Sequence, residues 1–175
     1  GISHGYGCVL FPEGTSHNNS YMLRFRTGPM RTVLAASALA KASGKELPVL
    51  IPMGLHFRTR EYFRTDVWVE YGEPIQVENS DVPQNLVDAV STGTWSEPPA
   101  ESVFKLRDKL REDLVPLSPN TYSWEEYRAL LLLGHIKGRM ENSPPKSWRG
   151  EVEQARLLRD KYCIESNFTD ADDLQ

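Results

Sequence analysis

The chain has 175 residues, of which 39% are hydrophobic and 25% are charged, a balance typical of a globular domain with a core rather than of a disordered chain. Its formal net charge of −4 at pH 7 gives no indication of a nucleic-acid partner. The two cysteines, Cys8 and Cys163, are far apart in the sequence, which argues against a disulfide framework or a zinc site and favours a reducing compartment. No apolar run reaches the roughly 18 residues of a membrane-spanning helix.

The N-terminal part of the chain predicts strands around one helix. A polar, turn-rich loop is expected at 12–27, and Pro29–Lys45 has the apolar spacing of a helix, with Gly44 as its C-terminal cap. Apolar or alternating runs indicate strands, in the first of which Cys8 would be buried and inert. These strands are predicted at Tyr6–Phe11, Leu47–Leu55 and Asp66–Tyr71.

The order of these elements predicts an α/β fold, a mixed sheet with flanking helices, followed by a helical C-terminal segment. We expect residues 1–80 to form the α/β core, residues 81–100 to be a polar linker or surface excursion, and residues 101–175 to be a helical extension. An acidic, frayed tail is expected at Glu165–Gln175. Helical apolar spacing and a Ser123 cap predict helices at Glu101–Val115, Trp124–Met140 and Trp148–Tyr162.

The stretch Phe11–His17 has the composition of a ligand-binding loop. A predicted strand delivers a carboxylate and a glycine, Glu13 and Gly14, into a loop at the strand end, where open α/β sheets place their ligands. Hydrogen-bonding side chains and two arginines follow at Thr15, Ser16, His17, Arg24 and Arg26. Guanidinium groups bind phosphate bidentately, which predicts a phosphate-binding loop. The alternative is an ordinary strand–loop–helix turn with solvated arginines.

Four blocks of sequence, in order over residues 6–78, resemble the glycerol-3-phosphate and lysophosphatidate acyltransferases. Phe11–Thr15 resembles the F-P-E-G-T block of that family, and Phe25–Gly28 is similar to the F-K-x-G step that follows it. Leu50–Leu55 resembles the later V-P-V-G-L block, and Tyr71–Ile75 is similar to the F-G-x-P-I strand exit.

The resemblance implies part of the glycerolipid acyltransferase fold and an acyl transfer that requires no metal and no cofactor beyond the acyl donor, acyl-CoA or acyl-carrier protein. It also implies a membrane-associated intact protein at the cytoplasmic face, in phospholipid biosynthesis, with an acyl donor, a glycerophosphate acceptor and a membrane surface as partners. The substrate-binding residues it implies are Glu13, Gly14, Thr15, Ser16, His17 and Arg26, and the acyl-pocket residues are Pro52, Met53 and Gly54.

The residues after Thr15 depart from the family pattern. Most members have an arginine where this chain has Ser16, followed by His17. This form is similar to a branch that acylates glycerol 3-phosphate or dihydroxyacetone phosphate, although lysophosphatidate stays open as the acceptor.

The catalytic motif of the family, Asn-His with four residues before an Asp, is not present in these 175 residues. The His of that motif is the general base and the Asp orients it. Only His56, with Glu61 at that spacing, comes close, and it follows the Leu50–Leu55 block, which is the wrong order for the motif. We expect the motif to precede Gly1, where the chain starts without an initiator Met, so no catalytic residue is predicted here.

Two classes of function therefore compete. The first is an O-acyltransferase of which these residues are an inactive piece, and the second is a non-catalytic lipid- or phosphate-binding module of the same fold. A phosphate-binding hydrolase is a weaker possibility, because no candidate nucleophile follows the first predicted strand.

Overall fold

The structure, a computed structural model, describes residue 2, residues 5–94 and residues 96–162. The chain divides into two compact units. The first unit comprises Gly1–Ser16, Phe25–Pro52 and Gly72–Asp113, and the second comprises His17–Arg24, Met53–Tyr71 and Leu114–Gln175. Each unit has its own packing.

The first unit is built around helix α1, Gly28–Ala42. Its buried side chains Met30, Val33, Leu34 and Ala38 recur at helical spacing and form a core stripe. Helix α2, Gln84–Ser91, packs on α1, and the Lys41 ammonium donates to the carbonyl of Val82 at 2.9 Å. Strands β1, Val49–Leu50, and β4, Ile75–Gln76, form an antiparallel pair. Helix α3, Ala100–Leu114, completes the set.

The second unit packs a β-hairpin with two helices. Strands β2, Met53–Phe57, and β3, Val67–Tyr71, pair antiparallel, and helices α4, Trp124–Met140, and α5, Trp148–Tyr162, pack on each other. Cross-strand register puts alternate residues on opposite faces of the hairpin. The inner face carries Gly54, His56, Trp68 and Glu70, whereas the outer face carries the exposed side chains of Leu55, Phe57, Val67, Val69 and Tyr71.

The structure confirms the predicted helices. α4 and α5 have the predicted bounds, while α1 begins one residue earlier and ends three residues earlier than expected. The Ser123 hydroxyl accepts from the backbone N–H of Glu126 at 3.2 Å, which is the expected N-terminal cap. Gly44 has a φ of +62° and Lys45 N–H donates to the carbonyl of Ala40, so the predicted C-terminal stop is also confirmed.

The strand predicted at Tyr6–Phe11 is wrong. The segment has no strand structure, and its side chains are exposed, including Val9 at 65%, Phe11 at 71% and the thiol-bearing Cys8. Among the described residues no strand pairs with this segment, and an apolar run becomes a strand only where a neighbour accepts its backbone hydrogen bonds. Cys8 is therefore not protected by burial.

Two further predictions differ from the structure. The single strand expected at Leu47–Leu55 is divided into β1 and β2, because Pro52 has no N–H for the ladder. The stretch 81–100, expected as a polar linker or surface excursion, contains α2, whose Leu86 and Val87 are buried. Polar residues on the exposed side of this short helix hide its apolar stripe in the sequence.

The sheets that the structure describes are two antiparallel pairs. The larger mixed sheet expected from the element order stays a prediction, and the acidic tail at Glu165–Gln175 lies outside the described residues. None of the described helices combines the length and the apolar character needed to traverse a bilayer.

Candidate functional site

The loop singled out by sequence forms a tight turn against the start of α1 in the first unit. Gly14 N–H donates to the carbonyl of Phe11 at 3.2 Å, which closes the turn. Arg26 N–H donates to the carbonyl of Pro12 at 2.7 Å, so the turn lies alongside the segment that enters the helix. The structure therefore brings together two residues, Gly14 and Arg26, that the sequence analysis named separately.

Gly14 has a structural reason to be glycine. Its φ is +67°, a left-handed conformation that costs other residues energy. A Cβ at Gly14 would also lie 3.0 Å from Cγ of Arg26, so the arginine stem covers the turn at close range. Backbone conformation and close approach both favour glycine at this position.

The guanidinium of Arg26 belongs to an exposed side chain located two residues before α1 begins at Gly28. Pro29 lies in the first turn of α1, and that turn has no acidic residue. A helix N-terminus carries partial positive charge and free N–H groups that favour anions. An arginine beside such a terminus, with a turn packed on its stem, is suited to hold a phosphate group.

The remaining predicted acceptor-binding residues are distributed over both units. Glu13 is half-buried and Thr15 and Ser16 are exposed, all in the first unit. His17 belongs to the second unit, where its Nδ1 accepts from the backbone N–H of Asn19 at 3.1 Å. Their roles in acceptor binding stay predictions.

The residues predicted for the acyl pocket have different environments. Pro52 is buried in the first unit, where its carbonyl accepts from Gly72 N–H at 2.9 Å, and Met53 is half-buried in the second. Gly54 is buried on the inner face of the hairpin, where a Cβ would clash with the carbonyl oxygen of Leu117. Gly54 therefore allows the strand to approach the chain after α3, and a role in acyl binding stays a prediction.

A partly buried polar network in the second unit was not predicted from the sequence. His56 Nε2 lies 3.2 Å from a carboxylate oxygen of Glu70, and the Arg156 guanidinium donates to both oxygens of that carboxylate at 2.8 Å and 2.5 Å. The His56 ring stacks on Trp68 at 4.9 Å between centroids, and the Trp148 indole N–H donates to the His56 carbonyl at 2.7 Å. The network ties the hairpin to α5.

The charges of this network follow from burial and pairing. Burial lowers the pKa of His56 below its ordinary value, and the hydrogen bond and negative charge of Glu70 offset this only in part. Burial alone would raise the pKa of Glu70, but the hydrogen bonds and positive charge of Arg156 outweigh it and hold the pKa below its ordinary value. The network thus favours a neutral imidazole beside an ionised Glu70–Arg156 pair.

His56 and Glu70 form a His–carboxylate pair, yet they are poorly placed for catalysis. The His56 side chain is only 2% exposed, and its Nε2 is occupied by Glu70. Its Nδ1 is buried without a hydrogen-bond partner among the described residues. A substrate hydroxyl has no access to either nitrogen, so the arrangement serves packing rather than proton transfer.

The network was hidden in the sequence because its members are distant along the chain. His56 and Glu70 become diagonal neighbours only through the β2–β3 register, in which Gly54 pairs with Glu70 and His56 pairs with Trp68. The sequence carries one signal for the network, the alternation of residues along the two strands. This alternation puts His56 and Glu70 on the face opposite to the valines of β3.

Comparison with known proteins finds two curated relatives. The chain is 32% identical over 123 residues to glycerol-3-phosphate O-acyltransferase 2 of Saccharomyces cerevisiae, a match that covers 70% of this chain and 15% of the relative. It is 25% identical over 107 residues to glycerol-3-phosphate O-acyltransferase 1 of the same yeast, covering 54% of this chain and 14% of the relative. The chain thus spans only a small part of the relatives that it matches. No family profile matches the chain, and no solved structure matches it significantly.

Proposed function

We propose, because the chain is similar to two yeast glycerol-3-phosphate O-acyltransferases, that the intact protein transfers a fatty acyl group from a thioester to a hydroxyl of a glycerol-3-phosphate-type acceptor. The relatives carry glycerol-3-phosphate O-acyltransferase in their names, which favours glycerol 3-phosphate over dihydroxyacetone phosphate and lysophosphatidate. The site residues of this chain would serve the acceptor side of the reaction.

One observation supports this role best, the packing of the Phe11–Gly14 turn on Arg26 at the start of α1. The guanidinium and the helix N-terminus would bind the acceptor phosphate, since both favour dianionic oxygens. Glu13, in the same turn, would accept a hydrogen bond from a glycerol hydroxyl. Positioning the acceptor in this way lowers the entropic part of the barrier.

In the proposed reaction the acceptor oxygen forms a bond to the acyl carbon while the carbon–sulfur bond of the thioester breaks. The acceptor hydroxyl gives its proton to a general base, and the thiolate leaves and takes up a proton. The base of this family, the His of Asn-His-x4-Asp, is not among the 175 residues. The residues of this chain would therefore bind and orient the acceptor, and they would not take its proton.

The fatty chain of the donor needs an apolar surface, and the outer face of the hairpin offers one. Met53 lies at the start of β2, and the exposed side chains of Leu55 and Val69 continue the face as a cross-strand pair. We assign the acyl-binding role to this face. For Pro52, in the first unit, and Gly54, on the inner face of the hairpin, an acyl-pocket role stays a prediction. Acyl-CoA and acyl-carrier protein are equally suitable donors for such a surface.

We further propose that the intact protein works at the cytoplasmic face of a membrane, as part of phospholipid biosynthesis. The acyl chains of donor and product partition into lipid, so a membrane surface is the place where both are concentrated. Nucleic acid has no part in this function.

Substitutions at the turn test the proposal in the full-length protein. We expect Glu13→Gln and Arg26→Ala each to raise the KM for glycerol 3-phosphate by about tenfold or more, because each removes a charge-assisted hydrogen bond worth roughly 1.5–3 kcal/mol. The KM for acyl-CoA should change by less than about twofold.

Lys109→Ala serves as the control, since it removes an exposed cation of α3 in the same unit that pairs with Asp113. This variant should leave the KM for glycerol 3-phosphate and the KM for acyl-CoA near their original values. Equal losses against acceptor and donor in the Glu13 and Arg26 variants would show that the turn has a structural role only.

A further inference from the structure

The loop between β2 and β3, residues 58–66, is closed by its own hydrogen bonds. Arg58 N–H donates to the carbonyl of Asp66 at 2.9 Å, and Thr59 N–H donates to the Thr65 hydroxyl at 3.1 Å. Tyr62 N–H adds a turn with the carbonyl of Thr59 at 3.4 Å. The loop is therefore organised before it meets any partner.

Two arginines fasten this loop to the body of the second unit. The Arg60 guanidinium donates to the Asn18 side-chain oxygen at 3.0 Å and lies 4.3 Å from the Trp124 ring centroid. The Arg58 guanidinium lies 2.6 Å from a carboxylate oxygen of Glu151 on α5. Both arginines are therefore held by contacts within the second unit. The residues of the loop that face outward lie between Arg60 and β3.

The tip of the loop, which we define as Tyr62, Phe63 and Arg64, is strongly exposed. Tyr62 is 71% exposed and Phe63 is 89% exposed, whereas apolar side chains on the outer face of the strands are mostly less than half exposed. The Arg64 guanidinium lies 5.2 Å from the centroid of the Phe63 ring. Two rings in water beside one cation form a small amphipathic unit.

We propose that this tip is a membrane-contact element that places the Tyr62 and Phe63 rings at the headgroup level of a phospholipid bilayer. This inference rests on the membrane association in the proposed function and names the surface that makes the contact. Aromatic rings are favoured at the membrane–water interface, where one side is apolar and the other is wet. Arg64, next to the rings, would pair with a lipid phosphate group.

The size of the tip favours a bilayer over a protein partner. Each aromatic side chain buries about 150–250 Å² at most, so the two rings fall well short of the roughly 1,200–2,000 Å² of a stable protein interface. A bilayer needs no such complementary area, because a few side chains give weak, reversible binding that other contacts reinforce. The loop carries three arginines, but Arg58 contacts Glu151 and Arg60 contacts Asn18, and Glu61 lies beside the tip. Apolar contact, rather than attraction to anionic lipid, is therefore the main source of affinity.

Co-sedimentation of the 175-residue chain with phosphatidylcholine vesicles tests the inference. We expect Tyr62→Ser combined with Phe63→Ser to lower the partition coefficient by about tenfold, because two rings lose their apolar contact. Phe63→Trp should keep or raise the partition coefficient, since indole is favoured at the interface. Raising the salt concentration should have a small effect on either protein.

The matched control, Tyr6→Ser combined with Met140→Ser, removes two side chains outside the tip that are 72% and 79% exposed. It should bind vesicles like the original chain. The inference is overturned if the original chain does not bind vesicles, if the tip variant binds equally well, or if the tip instead mediates self-association that the tip variant abolishes. Vesicle binding requires no turnover, so this result and the acceptor kinetics succeed or fail independently.

Discussion

Two features of the structure favour glycine at position 14. The backbone φ of Gly14 is +67°, and a Cβ there would lie 3.0 Å from the Cγ of Arg26. From the sequence, Gly14 is expected to let the backbone approach a ligand closely. In the structure the close approach is made by a side chain of the protein itself. The glycine thus positions the guanidinium stem, and through it the proposed phosphate contact.

Gly14→Ala should loosen this turn without unfolding the chain. A left-handed conformation costs a residue with a Cβ roughly 1–2 kcal/mol, so we expect the Arg26 amide, which donates to Pro12, to exchange with solvent about tenfold faster. Hydrogen exchange read by NMR gives the rate at that amide. Gly7→Ala is the matched control, because a Cβ there meets nothing within 4 Å. Unchanged exchange in the Gly14 variant would contradict the role given to this backbone conformation.

At the scale of elements, the β2–β3 hairpin depends on its inner face. Both strands alternate, but the polar residues His56 and Glu70 point inward and the valines of β3 point outward. Arg156 of α5 satisfies the partly buried Glu70 carboxylate, and removing one partner of such a pair leaves a charge without its counterpart and destabilises the fold. The stability of the hairpin is therefore linked to the charge state of its inner face.

The free energy of unfolding should fall as the solution becomes acidic. Burial lowers the pKa of His56, so the stabilisation that its neutral ring provides is complete above the ordinary pKa of 6.5. This stabilisation is lost as the pH falls below that value. The pKa of Glu70 is also lowered, by Arg156 against the opposing effect of burial, so its contribution is lost at still lower pH, below its ordinary value of 4.5. Acid therefore weakens both groups, the histidine first.

Urea unfolding at about pH 7.5 and about pH 5.5 measures the first of these losses. His56→Gln should show a smaller difference in unfolding free energy between the two pH values than the original chain. His135→Gln is the control, because His135 is 38% exposed on α4 and pairs with Glu151. An undiminished pH difference in the His56 variant would assign the acid sensitivity to another group.

At the scale of the whole molecule, the proposed chemistry needs a base that these residues do not provide. The chain contains no Asn-His-x4-Asp, and its buried His56–Glu70 pair is closed to substrate. We expect the purified 175-residue chain to show no turnover of acyl-CoA with glycerol 3-phosphate, measured by transfer of a labelled acyl group. The full-length protein in the same assay is the positive control.

Two outcomes of these assays would contradict the roles assigned to the chain. Turnover by the isolated chain that His56→Gln abolishes would make His56 the base and contradict the packing role given to it here. Acceptor binding without turnover in the full-length protein would favour a non-catalytic lipid- or phosphate-binding module of the same fold.

The sequence alone located four of the five described α-helices and indicated the family that this chain resembles. Helices depend on local spacing and capping, so α4 and α5 could be located from the apolar stripe, Ser123 and the acidic first turn. The four ordered blocks pointed to the acyltransferase family, and the yeast relatives support its glycerol-3-phosphate branch.

Only the tertiary structure decided what depends on partners distant in the chain. Tyr6–Phe11 has the composition of a buried strand, but without a paired neighbour among the described residues it is exposed. The His56–Glu70–Arg156 network requires the hairpin register and the docking of α5, neither of which local sequence encodes. The sequence predicted binding roles for Gly14 and Arg26 separately, and only the tertiary packing puts the Arg26 stem against Gly14.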